Sequence, residues 1–173
     1  MRVTNNIVIK DARMLFKNFS GVEKQYNLPG QRNFCAIIEP KLASILEADG
    51  WNIRWPDPDP DGDARKPYIQ VTVSFENFPP MIRVLTNQNE KIIEEDEVNM
   101  LDWADIKRVD VVIRPYNWVL YPGKKNEKTG VKAYLKEMKV TLQESELDKE
   151  SDDDYNYVPM SPNQVREQDF NGD

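Results

Sequence analysis

The chain has 173 residues, 39% hydrophobic and 31% charged, and a formal net charge of −7; that length fits one domain plus an appendage. It contains no histidine and a single cysteine, Cys35. Ser-His-Asp and Cys-His catalysis, zinc bound through histidine or several thiolates, and an internal disulfide are all excluded.

At the N-terminus, MRVTNNIVIKDAR lacks the apolar stretch of a signal peptide. No apolar run nears the eighteen or so residues of a membrane helix. RVTNNIVIKDARMLFKNF reads as two short strands or one bent strand, and RNFCAIIE, after the turn residues LPGQ, as a third. PKLASILEADG predicts a short helix, with Pro40 at its first position, Leu42, Ile45 and Leu46 on one face and Gly50 as its stop. WNIRW follows as a strand with Trp51, Ile53 and Trp55 on one side. After a Pro/Asp-rich loop, PYIQVTVSF points Ile69, Val71, Val73 and Phe75 inward and Tyr68, Gln70, Thr72 and Ser74 outward. MIRVLT ends in the turn NQNE, and EEDEVNMLDWADI predicts a second short helix with its acids at the favourable N-terminal end. KRVDVVIRPYNWVL and GVKAYLKEMKVTL form the last two strands, joined by YPGKKNEKT. The expected fold is mainly β: an OB-fold-like small barrel with two short helices over 1–143.

After Gln143 the hydrophobic pattern stops. Residues 144–173 hold ten acidic and two basic residues, net −8, leaving the other 143 residues with 20 acidic and 21 basic. This segment cannot bury enough apolar area to offset its ordering entropy, so a disordered acidic tail is expected. Within it, Asp152, Asp153 and Asp154 stand beside Tyr155 and Tyr157, with Phe170 further on. Apolar anchors among acids are the form of a segment that docks on a partner.

Asp57-Pro-Asp59-Pro-Asp61-Gly62 matches the opening of a calcium loop, but position twelve is Tyr68 rather than glutamate and strands flank it. The stretch Asp57–Asp63 therefore reads as a solvated loop, and neither metal nor cofactor is expected. Trp51, Trp55 and Trp103 read as core. Asp102 and Asp105 read as capping or surface groups.

The most informative constellation lies on the last two strands. Arg114, Tyr116 and Trp118 recur at spacing two, as do Lys132, Tyr134 and Lys136, with Lys124, Lys125 and Lys128 between them. Cations for phosphates interleaved with flat faces for bases suit a single nucleic-acid strand. The competing reading is an ordinary wet sheet face, its lysines deterring edge pairing.

The runs GQRNFCAIIE, LASILEADGWNIRW, EDEVNMLDWADI, VDVVIRPYNW and KTGVKAYLKEMKVTL, spread over most of residues 15–142, resemble a family of small bacteriophage proteins described in part as single-stranded DNA-binding proteins. The resemblance implies an OB-like barrel and a non-catalytic role in phage DNA replication or recombination in the host cytoplasm. The tail is similar to those of bacterial and phage single-stranded DNA-binding proteins, in which an acidic stretch ending in an aromatic residue recruits replication or recombination proteins. Here Asn171, Gly172 and Asp173 follow Phe170. The implied partners are single-stranded DNA and such proteins, with room for a homo-oligomer and no membrane. A module that inhibits a host factor or mimics DNA is the alternative from another class, and a virion component a third.

Overall fold

The computed structural model describes residues 2–25, 27–58, 60–62 and 66–144. Its elements are β1 (Ile7–Ile9), β2 (Met14–Asn18), β3 (Arg32–Ile37), α1 (Pro40–Asp49), β4 (Ile53–Arg54), β5 (Tyr68–Val73), β6 (Met81–Leu85), β7 (Glu90–Ile93), a 3-10 helix (Glu95–Asp102), β8 (Ile106–Leu120) and β9 (Lys128–Leu142). The expected tail lies outside the described residues beyond Glu144.

Local chemistry accounts for the helix ends. Pro40 opens α1, where its missing N–H costs nothing. Gly50 closes it at φ 109°. Its N–H donates to Glu47 O (3.0 Å) and the Trp51 N–H to Leu46 O (3.0 Å), a pair of bonds that needs a left-handed residue at Gly50. The second helix is of 3-10 type, opened by a capping box between Glu94 and Glu97 with Glu95, Asp96 and Glu97 in its first turn. The turn at NQNE leads into β7, a short strand that sequence alternation did not reveal: β6 and β7 pair antiparallel from Ile82–Ile93 to Leu85–Glu90.

The sheet is open, and this overturns the expected OB-like barrel. Its strands run in the order β1-β8-β9-β5-β3-β2, and β1 does not pair with β2 to close it. The cause lies in β9. It spans 15 residues and accepts two parallel partners, β5 at Ala133–Tyr134 and β6 at Glu137–Thr141. The sheet therefore branches along β9, with β7 continuing from β6, instead of curling shut.

One face of this sheet is the core. Phe19 and Phe34 stack at its centre, ring centroids 5.4 Å apart, among the fully buried Ile69, Ile82, Leu101, Ile113, Leu135 and Met138. Val98 and Leu101, one 3-10 turn apart, bring the second helix against it. Asp102, expected as a capping or surface group, neither caps a helix nor simply faces solvent: it ends the 3-10 helix, and its carboxylate accepts from the Phe19 N–H (2.8 Å), the Ser20 N–H (2.9 Å) and the Ser20 hydroxyl (2.7 Å). Of the three tryptophans expected in the core, only Trp51 is there. Trp55 follows the two-residue β4, where pairing stops and the inward alternation lapses; its indole N–H donates to Glu47 (3.2 Å). Trp103 falls past the buried edge of the 3-10 helix and is 72% exposed.

Candidate nucleic-acid interface

The two longest strands, β8 and β9, form a hairpin whose register sets the site. Arg114 lies opposite Tyr134, Tyr116 opposite Lys132, Trp118 opposite Gly130 and Leu120 opposite Lys128. Paired residues share a face, so the two spacing-two series become one surface. The core takes the other face through Val109, Val111, Ile113, Val131, Ala133 and Leu135. β5 pairs β9 only at Ala133–Tyr134, and the hairpin continues past that point to Leu120 and Lys128. Beyond it the bridge between Trp51 and Val131 holds the edge of β9, and Tyr116–Leu120 extends about 17 Å at about 3.4 Å per residue. Asn117, on the opposite side, exchanges two hydrogen bonds of 2.8 Å with the backbone of Val3, fastening the N-terminal segment to the hairpin.

On the shared face the basic and aromatic side chains touch. The Arg114 guanidinium lies 4.7 Å from the Tyr134 ring centre and 5.3 Å from that of Phe78. Lys132 Nζ is 5.1 Å from the Tyr134 ring centre, and the Tyr116 and Tyr134 rings meet edge to face at 5.9 Å. Such cation–aromatic contacts hold the charged groups in place without neutralising them. Arg114 Nε is buried and, among the described residues, lacks a hydrogen-bond acceptor. Phe78 comes from the loop after β5 and is 70% exposed.

Trp118 is set differently. Its indole lies flat over Gly130, where an added Cβ would stand 2.7 Å from Cε2 and 3.0 Å from Nε1. Only glycine leaves room for the ring. Trp118, Gly130 and Lys132 form one wall of a cleft of about 820 Å³. Gln70, Thr72 and Ser74 on the outward side of β5 also line it, as do Arg32, Phe75 and Glu95. Arg32 begins β3 opposite the buried Val73 and so belongs to the core side of the sheet, where the strand starts. Cys35, on β3 opposite Gln70, is buried beneath this side of the sheet. Burial pushes its thiol up to about 11 against the opposing pull of Arg54, so it packs as a neutral apolar group.

Of the residues singled out from the sequence, Arg114, Tyr116, Lys132 and Tyr134 come together as one cluster, and Trp118 joins them through the cleft. Lys128 begins β9, and Lys124 and Lys125 are exposed in the connecting turn. Lys136 faces outward but is the extra residue where the register shifts between Val112 and Ile113, next to Glu137. Asp152, Asp153, Asp154, Tyr155, Tyr157 and Phe170 lie outside the described residues. The sequence pattern missed Phe78, Arg32, Phe75 and Gly130. A glycine inside a strand pattern signals close approach by another group, and Gly130 carried that signal. Among the described residues, no group of three or more acidic, Cys or His side chains could hold a metal ion, and no helix is long and apolar enough to cross a membrane.

Comparison with known proteins adds the following. No curated protein matches the chain. The single-stranded DNA-binding protein from bacteriophage Enc34, in a C-terminally truncated form, is similar in fold, with a TM-score of 0.50, 13% identity, and coverage of 81% of this chain and 87% of that one. A structure of the Enc34 protein in complex with ssDNA gives a TM-score of 0.49, 13% identity, and coverage of 81% and 88%. A protein-family model described as "Putative phage ssDNA-binding domain" matches residues 1–171. With the match extending over nearly its whole length, this chain belongs to the phage ssDNA-binding domain family.

Proposed function

We propose that this bacteriophage protein binds single-stranded DNA without catalysing any reaction, and that it does so on the outward face of the β8–β9 hairpin and along the adjoining cleft. The observation that carries this reading is the contact cluster of Phe78, Arg114, Tyr134, Tyr116 and Lys132 beside Trp118. Aromatic faces reach bases only when these are unstacked, which favours a single strand over a duplex. Arg114 and Lys132 supply phosphate contacts, and Lys124, Lys125, Lys128 and Lys136 add positive charge around them. Phage DNA replication or recombination in the host cytoplasm is the setting that fits this activity and the family.

The competing protein-docking role would use the acids of the tail or of Glu94 to Glu97. On the body, Glu97 pairs with Lys91, Glu94 closes the capping box and the exposed Glu95 meets Arg32. The Lys91 contact draws the Glu97 carboxyl below its usual range.

Residues 144–173 act in this proposal as a separate acidic tail that competes with DNA for the cations of the hairpin. A bound strand displaces the tail and frees Tyr155, Tyr157 and Phe170 for replication or recombination proteins.

Fluorescence-anisotropy titration with labelled oligo-dT at two salt concentrations, with duplex DNA alongside, tests the main reading. Binding that exceeds duplex binding and weakens with salt is expected. Absence of oligo-dT binding, with the tail present and with it removed, would overturn the proposal. Deletion after Gln143 is expected to tighten oligo-dT binding, most at low salt. Equal affinity with and without the tail would sink the competition.

A further inference from the structure

The cleft has a second basic–aromatic pair, where β3 begins. Arg32 is anchored there by its Nε, which donates to Phe19 O (3.0 Å), and its guanidinium lies 5.8 Å from the Phe75 ring centre. Its Nη1 donates to Glu95 Oε2 (2.9 Å). Arg32, Phe75 and Glu95 line the same cleft as Trp118 and Lys132. Arg114 and Arg32 thus share one arrangement, a guanidinium over an aromatic ring, and differ in what meets the charge. No ion pair holds Arg114 among the described residues, whereas a carboxylate occupies Arg32.

To a guanidinium, a carboxylate and a phosphodiester are close equivalents: each offers two anionic oxygens to the same fork of N–H donors. The two partners are unequally committed. Arg32 is held by the backbone and its side chain is 22% exposed, while that of Glu95 is 58% exposed. A pair so open to water is weak, and its mobile member exchanges readily.

We infer that Arg32 and Phe75 form a second subsite for the backbone phosphate of a single DNA strand, and that Glu95 occupies it as the chain's own substitute for that phosphate. The inference rests on the proposal that the hairpin face binds single-stranded DNA. A strand engages the open cations near Trp118 first. It then follows the cleft round the start of β3 to Arg32 and displaces Glu95 there. Glu95 thereby lowers affinity and makes engagement of the second subsite conditional on a strand long enough to reach it.

The test uses the full chain and oligo-dT, with affinity measured across a salt series for wild type, Glu95→Gln, Arg32→Ala and the control Glu90→Gln. Glu90 pairs with Arg83 at 3.5 Å and does not line the cleft, so the control removes an equal charge elsewhere. Glu95→Gln is expected to tighten binding roughly two- to fivefold at low salt relative to the control, with the gain shrinking as salt rises. Arg32→Ala is expected to weaken binding and to reduce the slope of log affinity against log salt by about 0.7, the share of one phosphate contact on a single strand. Should Arg32→Ala fail to fold, Glu95→Gln still decides, because tighter binding cannot come from damage to the fold. Wild-type binding with Glu95→Gln matching the control, or with an unchanged slope in folded Arg32→Ala, would overturn the second subsite alone. No binding by any of the four proteins would overturn the hairpin reading and the subsite with it.

Discussion

Replacing Trp118 with alanine is expected to weaken oligo-dT binding by about 1–3 kcal/mol, roughly 5- to 150-fold, the range for loss of one stacked base. The ring lies over Gly130 on the hairpin and forms part of the cleft wall beside Lys132. It is partly buried and outside the buried core, so the fold is expected to survive the substitution. Gly130→Val makes the same prediction by another route. It keeps the indole but drives it off the strand, because the new Cβ would meet Cε2 at 2.7 Å. Tyr134→Ala is also expected to weaken binding, and its effect will not simply add to that of Arg114→Ala, since Arg114 lies over the Tyr134 ring at 4.7 Å. Oligo-dT titrations of Trp118→Ala and Gly130→Val decide the matter. Wild-type affinity in both would make this an ordinary wet sheet face.

Asp102→Ala is expected to lower the free energy of unfolding by about 2–4 kcal/mol, placing it among the more damaging substitutions outside the apolar core. One carboxylate accepts three hydrogen bonds, from two successive backbone N–H groups and the Ser20 hydroxyl. Those N–H groups belong to the segment that delivers Phe19, fully buried and stacked on Phe34. Without Asp102 they lose their acceptor, and of the hydrogen bonds between the 3-10 helix and the β2 region, that of Lys17 Nζ to Leu101 O (3.0 Å) remains. Ser20→Ala removes only the hydroxyl bond and is expected to cost about 1 kcal/mol. Urea denaturation of the two variants measures this. A midpoint for Asp102→Ala indistinguishable from wild type would refute it.

Much of the hairpin was legible in the sequence, and the reason is physical. From Val109 to Trp118 and from Gly130 to Leu135, alternation of period two separates the two faces, and the turn residues YPGKKNEKT fix where the strands reverse. Arg114, Tyr116, Lys132 and Tyr134 could therefore be assigned to one surface before any register was known. Lys136 was read as continuing that series, but the shift at Val112/Ile113 inserts it beside Glu137; the mark of that bulge is the change of apolar parity from Val131, Ala133 and Leu135 to Met138, Val140 and Leu142, which the spacing-two series passed over. The cleft was not legible. Arg32 and Phe75 lie far in sequence from Trp118, and they reach it through the antiparallel pairing of β3 with β5 and the parallel pairing of β5 with β9. Parallel pairing has no short-range signature of the kind a hairpin turn provides. The same gap explains the barrel expectation. Many short strands with turn signals fit a closed barrel and a branched open sheet equally well, and which one forms depends on β9 taking two partners along its length.

β9 has one further consequence, for the order in which the molecule can be built. It is the last strand of the body and holds three others, β8, β5 and β6. As the chain leaves the ribosome, β5 and β6 emerge long before the strand that will sit beside them. Until Lys128–Leu142 has appeared, β5 is paired on its β3 and β4 sides, β6 has only its hairpin with β7, and β8 has only the three-residue β1. Contacts so distant in sequence form late and slowly. The nascent protein thus carries unmatched strand edges until synthesis of the body is nearly complete, a state open to mispairing between neighbouring nascent chains. The same late step creates the Trp118–Gly130 contact, so an unfinished chain has no assembled DNA-binding face.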